Sequence, residues 1–257
     1  MDIFQHYRQE EHGFIELVQD WKETVGTVYE AKLSGFLDPR ECDIVRDVIG
    51  ADDNVKVAFF GGVDEAERQR ALVYPFFESP ERSRFHITVF QASFDPKFTS
   101  LSHPDLLGAL MGLGVKREMY GDLHVFDTFV QWFVTGEMED FVRTHFNQAG
   151  NTSIVPKVVS LDEAVPMREV WEERSGFVSS LRLDTVIAEL FKLSRSKAKA
   201  LVERERVKVN WKVVDQPAFV LREGDTLSVR QYGRRKLLSL GSTTKKGNVR
   251  IHYGEQK

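Results

Sequence analysis

The sequence contains very little cysteine and no long apolar run. Cys42 is the single cysteine among 257 residues, which excludes an internal disulfide framework and a zinc site built from several cysteines. No stretch approaches the roughly 18 consecutive apolar residues of a membrane-spanning helix. The first residues also lack the basic-then-apolar pattern of a secretory signal. These absences predict a cytoplasmic protein in a reducing compartment.

Charge is distributed unevenly along the chain. The net charge is −4, but residues 181–257 carry 18 Lys and Arg against 8 Asp and Glu, a surplus of +10. Residues 1–180 hold the other 17 basic and 31 acidic residues, which gives −14. Such asymmetry indicates an anionic partner for the carboxyl-terminal part. Nucleic acid is the commonest partner of this kind, and an acidic membrane surface is the second.

Apolar periodicity predicts an α+β protein of three small domains. The first, residues 1–79, is an α/β domain that opens with a helix whose apolar stripe is Phe14, Leu17, Val18 and Trp21. The second, residues 80–160, has the order β-α-β-β-α-β. This is the ferredoxin-like arrangement that RNA-recognition-motif (RRM) domains share.

The remaining residues predict a linker and a third domain. Residues 161–180 are acidic and show no clear strand pattern, so we interpret them as a linker. The third domain, residues 181–257, begins with a helix bearing the stripe Leu183, Val186, Ile187, Leu190 and Phe191. Ser194 opens a second helix, and short strands and a final hairpin follow.

The third domain resembles the S4-type RNA-binding domain. The matching residues are Arg182-Leu183-Asp184, Ser194-Arg195-Ser196-Lys197-Ala198, Leu201-Val202, Val207-Lys208-Val209-Asn210, Lys212-Val213-Val214 and Glu223-Gly224-Asp225. They span nearly fifty residues in the expected order. The resemblance implies that the two helices and the first strand present a basic surface to structured RNA, and that the domain is not catalytic.

The residue chemistry independently favours RNA contact. Phosphates need cations at several points, and an arginine can bind one with two donors. Hydroxyl groups near a helix amino terminus also favour phosphate. The predicted RNA-binding residues are Arg182, Ser194, Arg195, Ser196, Lys197, Lys199, Arg204, Arg206, Lys208, Asn210, Lys212, Arg234 and Arg235.

Two positions depart from the S4 pattern. Glu205 and Trp211 stand where that family usually has glycine. The first departure weakens any direct transfer of the family's helix-end geometry to this chain. Trp211 has two interpretations, a base-stacking role and packing against a neighbouring domain, of which we favour the second.

The whole chain resembles the YlmH family. The signature runs from His103 to Glu118, HPDLLGALMGLGVKRE, and continues with Gly121-Asp122. This resemblance implies an amino-terminal α/β domain, an RRM-like middle domain and a carboxyl-terminal S4 domain. It further implies binding to the large ribosomal subunit through ribosomal RNA and peptidyl-tRNA, in the rescue or clearing of stalled ribosomes. We expect a monomer with no cofactor, no metal, no membrane partner and no enzymatic activity.

Two other functions stay open. S4 domains are also found attached to RNA-modifying enzymes, where they bind the RNA substrate. If this chain is such an enzyme, the candidate acid–base residues are His103, Asp105 and Asp122. No nucleophile pattern or metal-ligand spacing accompanies them. The acidic residues 1–180 alternatively suggest a protein-interaction platform tethered to RNA. The middle-domain aromatics Phe126, Phe129, Trp132 and Phe133 are predicted to be core residues rather than a base-stacking surface.

Overall fold

The computed structural model describes residues 3–167, 170–244 and 247–256. The chain forms two compact units that divide between residues 167 and 168. Within the described ranges, no helix has both the length and the apolar character needed to cross a membrane.

The first half of unit one is a three-stranded sheet covered by two helices. Its elements are α1 (His12–Val28), β1 (Lys32–Leu37), α2 (Pro39–Ile49), β2 (Val55–Phe60) and β3 (Gln69–Pro75). The strands are antiparallel in the order β1-β3-β2. A capping box starts α2, because the Asp38 carboxylate accepts from the Glu41 amide at 2.9 Å and the Glu41 carboxylate accepts from the Asp38 amide at 2.6 Å.

The buried stripe of α1 differs from the predicted one. Ile15, Val18 and Val25 are fully buried, whereas Leu17 is 45% exposed. The helix begins at His12, and at 100° per residue Leu17 lies about 200° round the helix from Ile15. The prediction for Leu17 was therefore wrong.

The second half of unit one has the predicted β-α-β-β-α-β order. Its elements are β4 (Ile87–Ser93), α3 (His103–Gly112), β5 (Tyr120–Val125), β6 (Phe129–Thr135), α4 (Glu139–His145), β7 (Gln148–Ala149), β8 (Thr152–Ser153) and β9 (Lys157–Val159). The main sheet is antiparallel in the order β5-β6-β4-β9. Strands β7 and β8 form a separate two-residue pairing that is too short to leave an apolar pattern in the sequence.

Unit two is a six-stranded sheet with two helices. Its elements are β10 (Trp171–Val178), α5 (Leu183–Leu190), α6 (Arg195–Glu203), β11 (Val207–Val209), β12 (Lys212–Val213), β13 (Thr226–Val229), β14 (Gly233–Thr243) and β15 (Val249–Gln256). The strand order is β10-β15-β14-β13-β11-β12, and every pairing is antiparallel. The predicted stripe on α5 is confirmed, since Leu183, Val186, Ile187, Leu190 and Phe191 are all buried.

Strand β10 lies in the segment that we interpreted as a linker. It pairs with β15 over its whole length, from Trp171 opposite Gln256 to Val178 opposite Val249. Only Gly176 and Val178 are buried along it, so the sequence shows no apolar alternation. Backbone hydrogen bonds at the sheet edge, which leave no sequence pattern, define this strand.

The end of α6 keeps the geometry that glycine would favour. Glu205 has φ +55° and Trp211 has φ +63°, both in the left-handed region. Glu205 thus has a backbone conformation that glycine adopts readily. The chain adopts the left-handed backbone with residues that carry a Cβ.

Candidate RNA-binding surface

The amino-terminal ends of α5 and α6 are joined by a polar network. The Arg182 guanidinium donates to both Asp184 carboxylate oxygens, at 3.1 and 3.0 Å. Arg195 donates to the Thr185 hydroxyl at 2.5 Å, and that hydroxyl donates to Asp184 at 3.3 Å. The hydrogen bond from Arg182 is the largest cause that lowers the pKa of the Asp184 carboxyl. The network therefore holds Arg182 and Arg195 near one another.

The residues around this network are directed toward solvent. Ser194 caps α6 by accepting from the Lys197 amide at 3.2 Å, and its hydroxyl lies 3.1 Å from that of Ser196. Lys199 follows Arg195 by one helical turn on the same flank and pairs with Glu203 at 3.6 Å. Most of the predicted RNA-binding residues are exposed, namely Arg182, Ser194, Arg195, Ser196, Lys197, Lys199, Arg204, Arg206, Lys208 and Asn210.

A second cationic group lies on the other face of the sheet. Lys208 is opposite Ser228, and Ser228 is opposite Arg234, so the three side chains share one face. Val207 and Val209 alternate with Lys208 and are buried in the core formed with the helices. We call the face of Lys208, Ser228 and Arg234 the outer sheet face. The structure thus divides the predicted residues between the helix ends and this outer face.

Sequence reasoning missed Lys236 on the outer sheet face. It is opposite Thr226, two residues along β14 from Arg234, and therefore points to the same side. The sequence signal that could have identified it is the spacing of two cations, at positions 234 and 236, which places both on one face of a strand. Lys212, in β12 and next to the turn, is half-buried.

Two predicted residues make contacts within the domain. The Arg235 guanidinium donates to Glu255 at 2.5 Å and stands 5.0 Å from the centre of the Phe191 ring, and its side chain is 13% exposed. The Asn210 amide donates to Asp225 at 2.8 Å and its oxygen accepts from the Thr226 amide at 2.8 Å. Both side chains therefore stabilise unit two itself.

The candidate acid–base residues of the middle domain make structural contacts. Asp105 accepts from the Ser102 amide at 2.9 Å and caps α3. Asp122 accepts from the backbone amides of Glu67 at 2.7 Å and Arg68 at 3.0 Å. Burial raises the pKa of Asp122 to about 6. Over the part of the chain that the structure describes, no group of three His, Cys, Asp or Glu side chains is arranged to hold a metal ion.

The sheet face that an RRM would offer to RNA is covered within unit one. Phe133 and Val89 are buried in one cluster with Phe36 and Val63 of the first half. On the opposite face, Trp132 is fully buried. The prediction that Trp132 and Phe133 are core residues is confirmed.

The remaining predicted aromatics lie at the end of the hairpin formed by β5 and β6. Phe126 and Phe129 stack on each other with ring centres 4.5 Å apart and are half-buried. Among the described residues, the buried clusters of this half do not include them, so the prediction that these two are core residues was wrong. A single aromatic pair at the end of a hairpin offers less surface for base stacking than the continuous sheet face of an RRM does.

Comparisons with known proteins agree with this architecture. Residues 80–163 match the family model YlmH_RBD, whose description is "Putative RNA-binding domain in YlmH", and residues 181–227 match the S4 domain model. The chain is 43% identical over 257 residues to ribosome-associated protein quality control protein P2 of Bacillus subtilis (strain 168), covering 100% of this chain and 99% of that one. The chain belongs to the YlmH family.

Two further similarities fit this YlmH assignment. The small ribosomal subunit protein uS4 of Thermoanaerobacter sp. (strain X514) is 38% identical over 74 residues, 28% of this chain and 36% of that one. The solved structure of cell division protein ylmH from Streptococcus pneumoniae has a TM-score of 0.54 and 22% identity. It covers 64% of this chain and 99% of that one. This last likeness concerns the fold alone.

Proposed function

We propose that this YlmH-family chain is a non-catalytic RNA-binding factor of the large ribosomal subunit. Unit two contacts ribosomal RNA and peptidyl-tRNA during the rescue or quality control of stalled ribosomes. The observation that carries the proposal is full-length identity of 43% with a protein named for ribosome-associated quality control, joined to an S4 domain whose cations are exposed.

The helix ends of unit two have the chemistry of a phosphate-binding surface. Arg182 and Arg195 are held by Asp184 and Thr185, two residues that are each 7% exposed. Anchored guanidinium groups lose less side-chain entropy on binding than free ones, because part of their freedom is already lost in the unbound protein. Lys199 adds a third cation on the same flank. This arrangement favours a structured RNA whose phosphates are spaced to meet several cations at once.

Unit one is less suited to bind RNA. Residues 1–167 hold 15 Lys and Arg against 28 Asp and Glu, a charge of −13, which repels a phosphate backbone. The RRM-type platform on β4 and β6 is covered by Phe36 and Val63. We therefore assign the RNA contacts to unit two.

Sedimentation of a cell lysate through a sucrose gradient tests the ribosomal assignment. We expect the protein in large-subunit fractions, enriched when ribosomes are stalled. Absence from those fractions in stalled cells would refute the assignment. Purified large subunits with and without peptidyl-tRNA then test the finer proposal, which requires tighter binding to the peptidyl-tRNA complex.

A double variant of the middle domain tests the non-catalytic role. His103→Ala with Asp105→Ala removes the candidate acid–base pair and should leave ribosome binding intact. The variant also loses the Asp105 carboxylate that accepts from the Ser102 amide, so circular dichroism must show that it stays folded. If the variant stays folded and bound to ribosomes but fails to support recovery from stalling, an RNA-acting enzyme is the better description.

An exposed aromatic cluster favours a second candidate, a protein-interaction platform. Tyr29, Phe76 and Phe77 are 54, 55 and 61% exposed, and the Tyr29 and Phe77 ring centres are 5.8 Å apart. Glu30 and Glu78 flank them in sequence, which favours a basic protein surface over RNA. Pull-down after RNase treatment tests this candidate. A basic partner retained by the wild type and lost in Phe76→Ser with Phe77→Ser would support it.

A further inference from the structure

The turn between β11 and β12 presents an unusual tryptophan. Asn210 and Trp211 have φ +48° and +63°, so two consecutive left-handed residues connect the strands. This is the backbone of a type I′ hairpin turn, for which Asn-Gly is the favoured pair. A bulky residue with positive φ is a true outlier, and such outliers concentrate where the side chain has a function.

The turn is fixed by its asparagine. The Asn210 amide group donates to Asp225 at 2.8 Å, its oxygen accepts from the Thr226 amide at 2.8 Å, and its backbone amide donates to the Thr226 carbonyl at 2.9 Å. Three hydrogen bonds therefore determine the direction in which the next side chain leaves the turn. Trp211 follows this anchored residue at the second position of the turn.

The indole does not belong to the apolar core of unit two. Among the described residues, the buried cluster and the partly buried side chains packed on it do not include Trp211. The side chain is half-buried, and the Arg234 guanidinium lies over its ring at 5.7 Å from the centre. The Arg234 contact places the indole beside the outer sheet face, where Lys208 and Lys236 also lie.

These features describe a stacking site next to cations. Every nucleobase has a π face, and stacking on an aromatic side chain is favourable with any base. A cation behind the ring orients it, and neighbouring lysines can meet the phosphates on either side of a stacked base. A fully paired duplex offers no free base face, whereas a bulged or looped nucleotide does.

In place of the domain-packing interpretation favoured from the sequence, we propose that Trp211, backed by Arg234, binds an unpaired nucleobase of the RNA that unit two recognises. This proposal rests on the proposed RNA-binding function and deepens it by naming a specificity element. The helix-end cations supply contacts that do not depend on sequence, and Trp211 selects an RNA with an unstacked nucleotide.

Two RNA hairpins that differ only by a single bulged adenosine test the proposal, with heparin as a polyanion that has no bases. Wild type should bind the bulged hairpin about 5- to 150-fold more tightly, the range expected for one stacked base. Trp211→Gly should abolish this preference and leave heparin binding unchanged. Trp211→Phe should retain most of the preference.

Trp211→Gly is a suitable variant because glycine adopts positive φ readily. Its melting temperature should equal or exceed that of wild type, so a binding loss is not an unfolding effect. An unchanged preference in Trp211→Gly, with RNA still bound, would overturn the stacking proposal and leave the proposed function standing. Failure of wild type to bind either hairpin while it still sediments with large subunits would overturn the stacking proposal alone, and absence from the large-subunit fractions as well would overturn the proposed function. If Trp211→Gly loses ribosome association but binds both hairpins as wild type does, Trp211 makes a protein contact instead.

Discussion

Removal of two cations from one flank of α6 tests the RNA surface most directly. Arg195→Ala loses one hydrogen bond to the Thr185 hydroxyl, worth about 1 kcal/mol, and that hydroxyl keeps a contact with Asp184. Lys199→Ala loses an i,i+4 pair with Glu203, worth about 0.3–0.5 kcal/mol. We therefore expect the double variant to fold, with a stability loss of about 1–2 kcal/mol.

The effect on RNA binding should be much larger. About five phosphate contacts give a log–log salt slope of roughly −3.5 to −4.5, and loss of two contacts reduces its magnitude by about 1.4–1.8. A phosphate contact with a slope of 0.8 makes the binding affinity about sixfold higher at about 0.1 M salt than at 1 M salt. Loss of two such contacts should therefore weaken RNA binding about 40-fold at about 0.1 M salt. Fluorescence anisotropy of labelled RNA across a salt series measures both quantities, and circular dichroism melts confirm folding.

A matched variant in unit one removes the same charge elsewhere. Arg82→Ala with Arg143→Ala changes two exposed arginines, whose side chains are 65 and 52% exposed. Its salt slope should equal that of wild type. The assignment of phosphate contacts to the helix ends is refuted if both double variants reduce the slope equally, or if Arg195→Ala with Lys199→Ala leaves it unchanged.

Three further predictions concern unit one. Burial raises the pKa of Cys42 to about 12, so a disulfide reagent such as DTNB should react only on unfolding, and fast reaction of the native protein would contradict this. Burial also raises the pKa of Asp122 from 3.8 to about 6. The free energy of unfolding should therefore be highest below pH 3.8 and should fall as the pH rises through 6, by at most about 3 kcal/mol from this group. Asp122→Asn should flatten the pH dependence of urea unfolding over that window. A Cβ at Gly121 would lie 2.6 Å from the Phe36 ring, whereas one at Gly108 meets nothing within 4 Å. Gly121→Ala should therefore lower the melting temperature at a cost of about 1–3 kcal/mol, and Gly108→Ala, within α3, should raise it by the equivalent of about 0.5–1 kcal/mol.

The sequence predicts those elements whose apolar pattern and caps agree. Leu183 to Leu190 shows a complete helical stripe, and Ser194 is a cap that begins α6 at Arg195 as expected. Strand β2 covers Val55–Phe60, a run rich in apolar residues that ends at two glycines, and this pattern is typical of a strand. Local propensity and burial indicate the same structure in each case.

Strand β10 and the contacts of Arg235 could not be predicted in this way. The pairing of β10 depends on β15, more than seventy residues later in the sequence, and a mostly exposed edge strand carries no apolar signal. Arg235 meets Glu255 and Phe191 only because β14, β15 and α5 converge. Charge identifies a candidate cation, but only the fold determines whether its partner is an internal carboxylate or an external phosphate.

The S4 glycine positions show how backbone geometry can persist when the residue changes. Glu205 and Trp211 both adopt the left-handed conformation, which costs a residue with a Cβ about 1–2 kcal/mol. The two side chains then change the surface, because Glu205 is exposed and adds a negative charge beside Arg204 and Arg206. Phosphate contact should therefore be weaker at the carboxyl-terminal end of α6 than at its amino-terminal end, where Arg195 and Ser194 lie.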